Sequence, residues 1–348
     1  MNILYVSVHQ VLEYDEISIF HDLGHEVFPL GLYFGGIPAQ PFRPAIPFGP
    51  WLAETMREFE ALGGQYRHGA APEEQTIPRA FVERFDAVVV AHDLPFIRHH
   101  WDALSATTVV WRSIGVSTEM LEPEVAQLRD RGVVVVRYCP TEQLARHYAG
   151  HDAIIRFGKR DADIPTRTNG DPRILTFSLL FRERFPREYA FYVKSTGKLP
   201  TALGGAGTEA LPGGLGLIDH ETQRALLSTC AAYFYCAGTF IPYTLNFMEA
   251  WLAGIPLVAL HCRSVYPAEQ CRLAEVPLLL THGEDGFVVR RPSRAASVFR
   301  ALGQDEDLAR EIGARGALRA RSLFSSSVVG PQWQRLFDSF GLPARSGP

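Results

Sequence analysis

Short, almost unbroken apolar runs alternate with longer stretches of helical spacing through most of the chain. NILYVS (2–7) reads as a buried parallel strand, EYDEISIFHDLG (13–24) has helical spacing, and HEVFPLG (25–31) reads as the next strand. Between residues 35 and 50 proline and glycine accumulate, so an irregular excursion is expected before the helix WLAETMREFEALGG. FDAVVVAHD, TTVVWRSIG and GVVVVRYC supply further strands, with helices expected around 96–104 and 122–131. A doubly wound parallel sheet accounts for this order.

After HDAIIRFG the polar segment KRDADIPTRTNGDP (159–172) has little periodicity, and RILTFS then starts a second series of strands. The domain boundary is placed there. A helix near 187–195, strands in KLPTALGG and LGLI, a helix from Glu221 and the strand AAYFYC continue the alternation. Two amphipathic segments follow GFVV, with Asp and Glu at the start of the second and Arg at its end, as suits a helix dipole. The expected division is 1–160, 161–330, and a C-terminal helix and tail over 331–348. The expected fold class is α/β, two doubly wound, Rossmann-like parallel-sheet domains facing across a cleft, where ligands bind at strand carboxyl ends.

One stretch breaks the apolar pattern. In FIPYTLNFMEAWLAGIPLVAL (240–260) a helix from near Tyr243 to Gly254 turns Leu245, Met248, Leu252 and Ala253 toward a core, with PLVAL as the following strand. Glu249 stands alone among these residues, and a carboxylate in such a place requires a partner.

Composition narrows the function classes. A chain of 348 residues, 47% hydrophobic and 11% aromatic, supplies apolar surface for two cores. The net charge of −4 argues against a whole-molecule grip on nucleic acid or anionic membrane. The five cysteines sit singly, with no CxxC pair and no paired histidine spacing, which predicts reduced, mostly buried thiols. With no basic-then-apolar leader pattern and no run of roughly 18 apolar residues, a cytoplasmic protein is expected, at most peripheral to a membrane.

Several segments together resemble the retaining nucleotide-sugar glycosyltransferases of the GT-B fold, the family that includes sucrose and trehalose synthases and mannosyltransferases. FMEAWLAGIPLVAL is similar to that family's EAMAxGxPVVA segment, HGEDGFVV to its NGxDGxLV, and 308–324 to its closing LGxxGRxxVxxxFS. In the first half NILYVS, LGHEVF and the strand pattern match. The resemblance implies that Glu249 receives the ribose hydroxyls of a sugar nucleotide, a role a carboxylate fills by accepting from two vicinal hydroxyls. Tyr243, Thr244 and Leu245, at a helix start, are candidates for holding phosphate oxygens through backbone N–H groups, with the Thr244 hydroxyl in addition. Arg182, Arg184 and Arg187 stand where the family often shows GRLxxxKG, and an arginine fork suits phosphate. From the first half, His92 and Arg112 end strands at the presumed cleft and are the candidates for contact with the transferred sugar.

The chain also departs from the family. Ile241 occupies the place of a second glutamate eight positions before Glu249, and His9 and Gln10 replace the N-terminal Gly-Gly loop. DAD at Asp161–Asp163 mimics a metal-binding DxD but lies in the interdomain linker, GGAG at 204–207 lacks dinucleotide spacing, and the adjacent histidines of RHH (98–100) cannot readily share a metal on a helix. No metal and no separate cofactor is assigned. The expected activity is transfer from a nucleoside-diphosphate sugar, with retention and without metal, to a glycan, a lipid-linked glycan or a modified DNA base. The alternatives are a non-catalytic sugar-nucleotide-binding protein, motivated by Ile241, and a sugar-nucleotide epimerase of similar fold.

Overall fold

The computed structural model describes residues 1–36, 38, 42–115 and 117–341, and the chain forms two compact units. The first holds six parallel strands: β1 (Asn2–Val6), β2 (Glu26–Leu30), β3 (Ala87–Ala91), β4 (Thr108–Arg112), β5 (Val134–Arg137) and β6 (Ala153–Ile154), in the order β2-β1-β3-β4-β5-β6. Successive residues serve opposite faces, as strand geometry requires. Leu4 and Val6 join one core with Phe28, Phe59 and Phe81, whereas Ile3 and Tyr5 join another with Val27, Val89 and Val110. Burial on both faces is why these strands read as continuous apolar runs.

The second unit, Asp161–Ser325, repeats the plan. Its strands are β7 (Asp171–Phe177), β8 (Thr201–Gly204), β9 (Gly214–Gly216), β10 (Cys230–Tyr235), β11 (Leu257–Leu260) and β12 (Phe287–Val289), all parallel, in the order β12-β11-β10-β7-β8-β9. Two units of doubly wound parallel sheet are thus the expected fold class.

The chain leaves the second unit earlier than the pattern suggests. A helix begins at Ser326, not near 331, and runs to Asp338 as part of the first unit. Its Trp333 and Phe337 are buried against Phe20, with ring centroids 5.1 and 5.4 Å away. Its amphipathic stripe is too short to reveal which core it fills. Residues 342–348 of the expected tail lie outside the described residues.

Arg112, a candidate for sugar contact, is instead a structural group. Its side chain is 0% exposed. Nε donates to Glu16 Oε1 at 3.0 Å, Nη1 to the Ile155 carbonyl at 2.5 Å and Nη2 to the Arg156 carbonyl at 3.2 Å. The guanidinium also lies 5.0 Å from the Phe157 ring and 5.4 Å from that of Trp333. With these donors engaged and no exposed surface, it presents nothing to a ligand. Glu16 takes a second bond from the Tyr5 hydroxyl at 2.6 Å, and beside it Asp15 pairs with buried Lys159 at 2.9 Å. Asp15 and Glu16 of the Gln10–Asp22 helix are therefore internal ties, not a solvated face.

Glu13 on the same helix is also fully buried and accepts from the N–H groups of Leu32 and Tyr33 at 2.8 and 3.1 Å. Gly31 is required beside it, because a Cβ there would collide with the Glu13 carboxyl. Burial pushes the Glu13 pKa up to about 8 against the two backbone bonds, which lower it.

Two outcomes follow from these buried charges. Arg112→Ala strands Glu16 and should cost about 3–5 kcal/mol in urea denaturation, with Arg112→Met/Glu16→Gln recovering part of the loss. A cost under about 1 kcal/mol, the worth of an exposed pair, would contradict the assignment. The Glu13 pKa is higher folded than its ordinary value of 4.5, so its contribution to stability is full below that value and is lost as pH rises through about 8. Relative to Glu13→Gln, the wild type should lose stability across that window, at a slope approaching about 1.4 kcal/mol per pH unit. Parallel melting curves of the two proteins against pH would refute this.

Candidate functional site

In the second unit β7, β10 and β11 are adjacent, so the loops leaving their carboxyl ends are neighbours. The loop after β7 turns at Leu180, a non-glycine residue at φ 49°, into a short helix, Phe181–Arg184. GGAG supports this turn: Ser178 N–H donates to the Gly204 carbonyl at 2.9 Å and Leu180 N–H to that of Ala206 at 2.7 Å. Gly205, at φ 131°, lies so close to the Ser178 carbonyl that no side chain fits.

The three arginines after this turn differ in how they are held. Arg182 is exposed and pairs with Glu183 at 3.2 Å, and Arg184 lies over the Phe185 ring at 5.4 Å. Arg187 is tied into the loop cluster: Nη1 donates to the Val265 carbonyl at 3.2 Å and the guanidinium lies 5.5 Å from the Tyr266 ring. Phe185 meets Phe240 at 6.2 Å and Phe240 meets Tyr266 at 5.6 Å, so the three loops touch one another. Below them buried Glu188 accepts from the Tyr266 hydroxyl at 2.6 Å and the Thr239 hydroxyl at 3.4 Å. Burial raises the Glu188 pKa against these bonds.

The expected helix spans Leu245–Leu252, with Thr244 as its N-cap accepting from Phe247 N–H at 3.3 Å. The first N–H groups of the helix are therefore those of Leu245 and Asn246. Tyr243 precedes the cap, and its ring is fully buried, 5.3 Å from Phe324. Its side chain belongs to the core, and its candidacy for a phosphate oxygen rests on the backbone N–H alone. Glu249 is 5% exposed, and its Oε2 accepts from Gln223 Nε2 at 2.7 Å. The partners this buried carboxylate requires thus include a neutral amide. Ile241, where the second glutamate was sought, is half-buried and closes a turn through its N–H on the Gly238 carbonyl at 3.3 Å.

In the first unit His92 follows β3 in the left-handed region, φ 70°, with Nδ1 3.0 Å from Ser117 Oγ. Its N–H donates to the Arg112 carbonyl and its own carbonyl accepts from Trp111 Nε1, so the backbone is fixed on both sides. Burial lowers the His92 pKa, against the pull of Asp93, and so favours the neutral imidazole. Arg112 does not accompany it, for the reasons given above.

One further reading changes. Cys262 and Cys271 form a disulfide with Cα atoms 5.7 Å apart, whereas Cys139, Cys230 and Cys236 are buried free thiols. Two successive 3-10 turns bring the pair together, and spacing alone does not encode that return. DAD forms one 3-10 turn, with Asp161 Oδ2 accepting from Ser325 Oγ at 3.2 Å and the Asp163 carbonyl from Arg224. Among the described residues no group of three or more His, Cys, Asp or Glu is arranged to hold a metal, and no helix is long and apolar enough to cross a membrane.

Sequence reasoning missed Gln223, Glu188 and Ser178. Gln223 lies 26 residues before Glu249 in a helix with no unusual pattern, so only the fold joins them. Ser178 follows β7 with a buried hydroxyl that makes no hydrogen bond, beside the arginine-bearing turn.

No family model and no curated protein matches the sequence. Solved structures do match. HepE of Anabaena, crystallised with UDP-glucose, superposes with a TM-score of 0.68 at 14% identity, covering 97% of this chain and 100% of that one. A glycosyltransferase from Rickettsia africae gives 0.65 at 12% identity over 99% of each chain. A variant of S. aureus TarM crystallised with UDP gives 0.54 at 11% identity over 75% of this chain and 59% of that one. These likenesses establish the GT-B fold.

Proposed function

We propose that the chain transfers a glycosyl group from a nucleoside-diphosphate sugar to an acceptor hydroxyl, with the second unit binding the donor. The observation that carries this reading is Glu249: a carboxylate buried to 5% exposure, one helical turn beyond the first helix N–H groups, on the helix that follows β10, the strand beside β7 and its arginine-bearing turn. The helix start and Arg187 supply positive charge for a diphosphate, and the carboxylate supplies acceptors for ribose hydroxyls. The co-crystallised nucleotides of HepE and TarM support the same assignment by likeness of fold.

In this reading, departure of the nucleoside diphosphate builds negative charge on its terminal phosphate. The Leu245 and Asn246 N–H groups and Arg187 stabilise that charge where it develops. Thr244, already accepting from Phe247, keeps its own O–H as a donor. Arg182 and Arg184, exposed on the preceding turn, are free to turn toward the same phosphates. His92, a neutral imidazole, is the first unit's candidate for a sugar hydroxyl. By resemblance the reaction is retaining and metal-independent, and the leaving phosphate takes the acceptor proton. The acceptor classes are a glycan or lipid-linked glycan first, a modified DNA base second. Ile241 favours one other reading, binding of a sugar nucleotide without transfer.

Glu249→Ala should weaken binding of both sugar nucleotide and bare nucleoside diphosphate by roughly 1.5–3 kcal/mol, as for a hydrogen bond to a charged group. Calorimetry on the folded variant measures it, and unchanged affinity for every nucleotide the wild type binds removes Glu249 from the site. Turnover should persist in excess EDTA. An absolute need for added Mg²⁺ or Mn²⁺ would defeat the metal-independent part of the reading.

A further inference from the structure

We infer that Gln223 is a positioning residue for donor recognition, holding the Glu249 carboxylate so that the site distinguishes a ribonucleotide from its 2′-deoxy counterpart. The inference rests on the reading that Glu249 meets the ribose. Gln223 sits in the first turns of the His220–Thr229 helix. That turn is itself fixed: Asp219 caps it by accepting from Thr222 N–H at 2.7 Å, and its carbonyl accepts Gln223 N–H at 3.0 Å. From this anchored position Nε2 donates to Glu249 Oε2 at 2.7 Å.

The choice of an amide has chemical consequences. A glutamate side chain has three rotatable bonds, and an unheld carboxylate gives up that freedom only when ligand arrives. The Gln223 bond removes part of that cost beforehand. A guanidinium fork in the same place would take two of a carboxylate's roughly four acceptor directions and bring a compensating charge. One amide N–H takes a single direction and brings no charge, so the carboxylate keeps its strength as an acceptor for hydroxyl groups. A site built to hydrogen-bond a hydroxyl rejects the analogue that lacks it, and that rejection depends on how well the acceptor is placed.

The test is calorimetry of UDP, GDP and ADP, each against its 2′-deoxy counterpart, with the full-length wild type, Gln223→Ala and Gln223→Met. The methionine keeps the length of the stem without a donor, and thermal melting checks that both variants are folded. For whichever nucleotide binds, the wild type should favour the ribose form by about tenfold or more. In the variants that ratio should fall at least about fivefold, with the loss in the ribonucleotide's affinity and the deoxy form within about twofold of wild type. A folded variant that keeps the wild-type ratio overturns the role of Gln223 and leaves the ribose reading intact. A wild type that binds nucleotides without preferring ribose overturns both. A wild type that binds none of the six overturns the donor reading, and this inference with it.

Discussion

Parallel strands cannot be joined by tight turns. Each is followed by a crossover that returns the chain to the starting edge, so all carboxyl ends of a sheet open on one side. In the second unit this constraint alone makes neighbours of the loops after β7, β10 and β11. The sequence then adds specific ties. Phe185, Phe240 and Tyr266 form a chain of ring contacts, Arg187 covers the last ring, and Glu188 holds Tyr266 and Thr239 from beneath. Such aromatic pairs contribute roughly 0.5–1.5 kcal/mol each beyond area burial, enough to keep three irregular loops in register. The Cys262–Cys271 disulfide closes the loop that carries Tyr266.

The first unit uses the same sheet but invests its charges differently. Arg112 ends β4, a position from which a side chain can reach a ligand, yet it is directed inward to Glu16 and to two carbonyls of the segment after β6. Removing two charges from water is costly, and the pair is stable only because its remaining hydrogen-bonding capacity is satisfied. That satisfaction joins the Gln10–Asp22 helix, the crossing segment and the bed of Trp333. The helix that returns after Ser325 therefore lies on a surface organised by Arg112 and Lys159, both buried.

The elements that pattern alone revealed are those whose physics is local. Runs such as AVVVA and TVVWR are buried on both faces, and period and β-branching identify them without knowledge of their neighbours. The helix over this stretch and the oddity of Glu249 were legible for the same reason. What escaped depends on contacts distant in sequence. The fate of Arg112 turns on Glu16, 96 residues away, the partner of Glu249 lies 26 residues away, and the disulfide requires two turns whose directions spacing does not specify. The end of the second unit was misplaced because a helix of mixed polarity does not say which core it fills. A strand end points to the ligand-bearing edge, but only the partners decide whether its side chain serves the edge or the interior.

Glu16 and Glu249 make that distinction concrete. Both are helical glutamates and both are buried, at 1% and 5% exposure. Glu16 faces a guanidinium and a tyrosine hydroxyl, donors that suit a permanent internal tie. Glu249 faces an amide on a neighbouring helix, a donor that orients a carboxylate without opposing its charge. An acceptor held in this way is suited to exchange water for hydroxyl groups and back again, because that exchange breaks no ion pair with the amide. Depth of burial, nearly the same for these two, therefore does not tell them apart, whereas the donors that face them, a guanidinium in one case and an amide in the other, do.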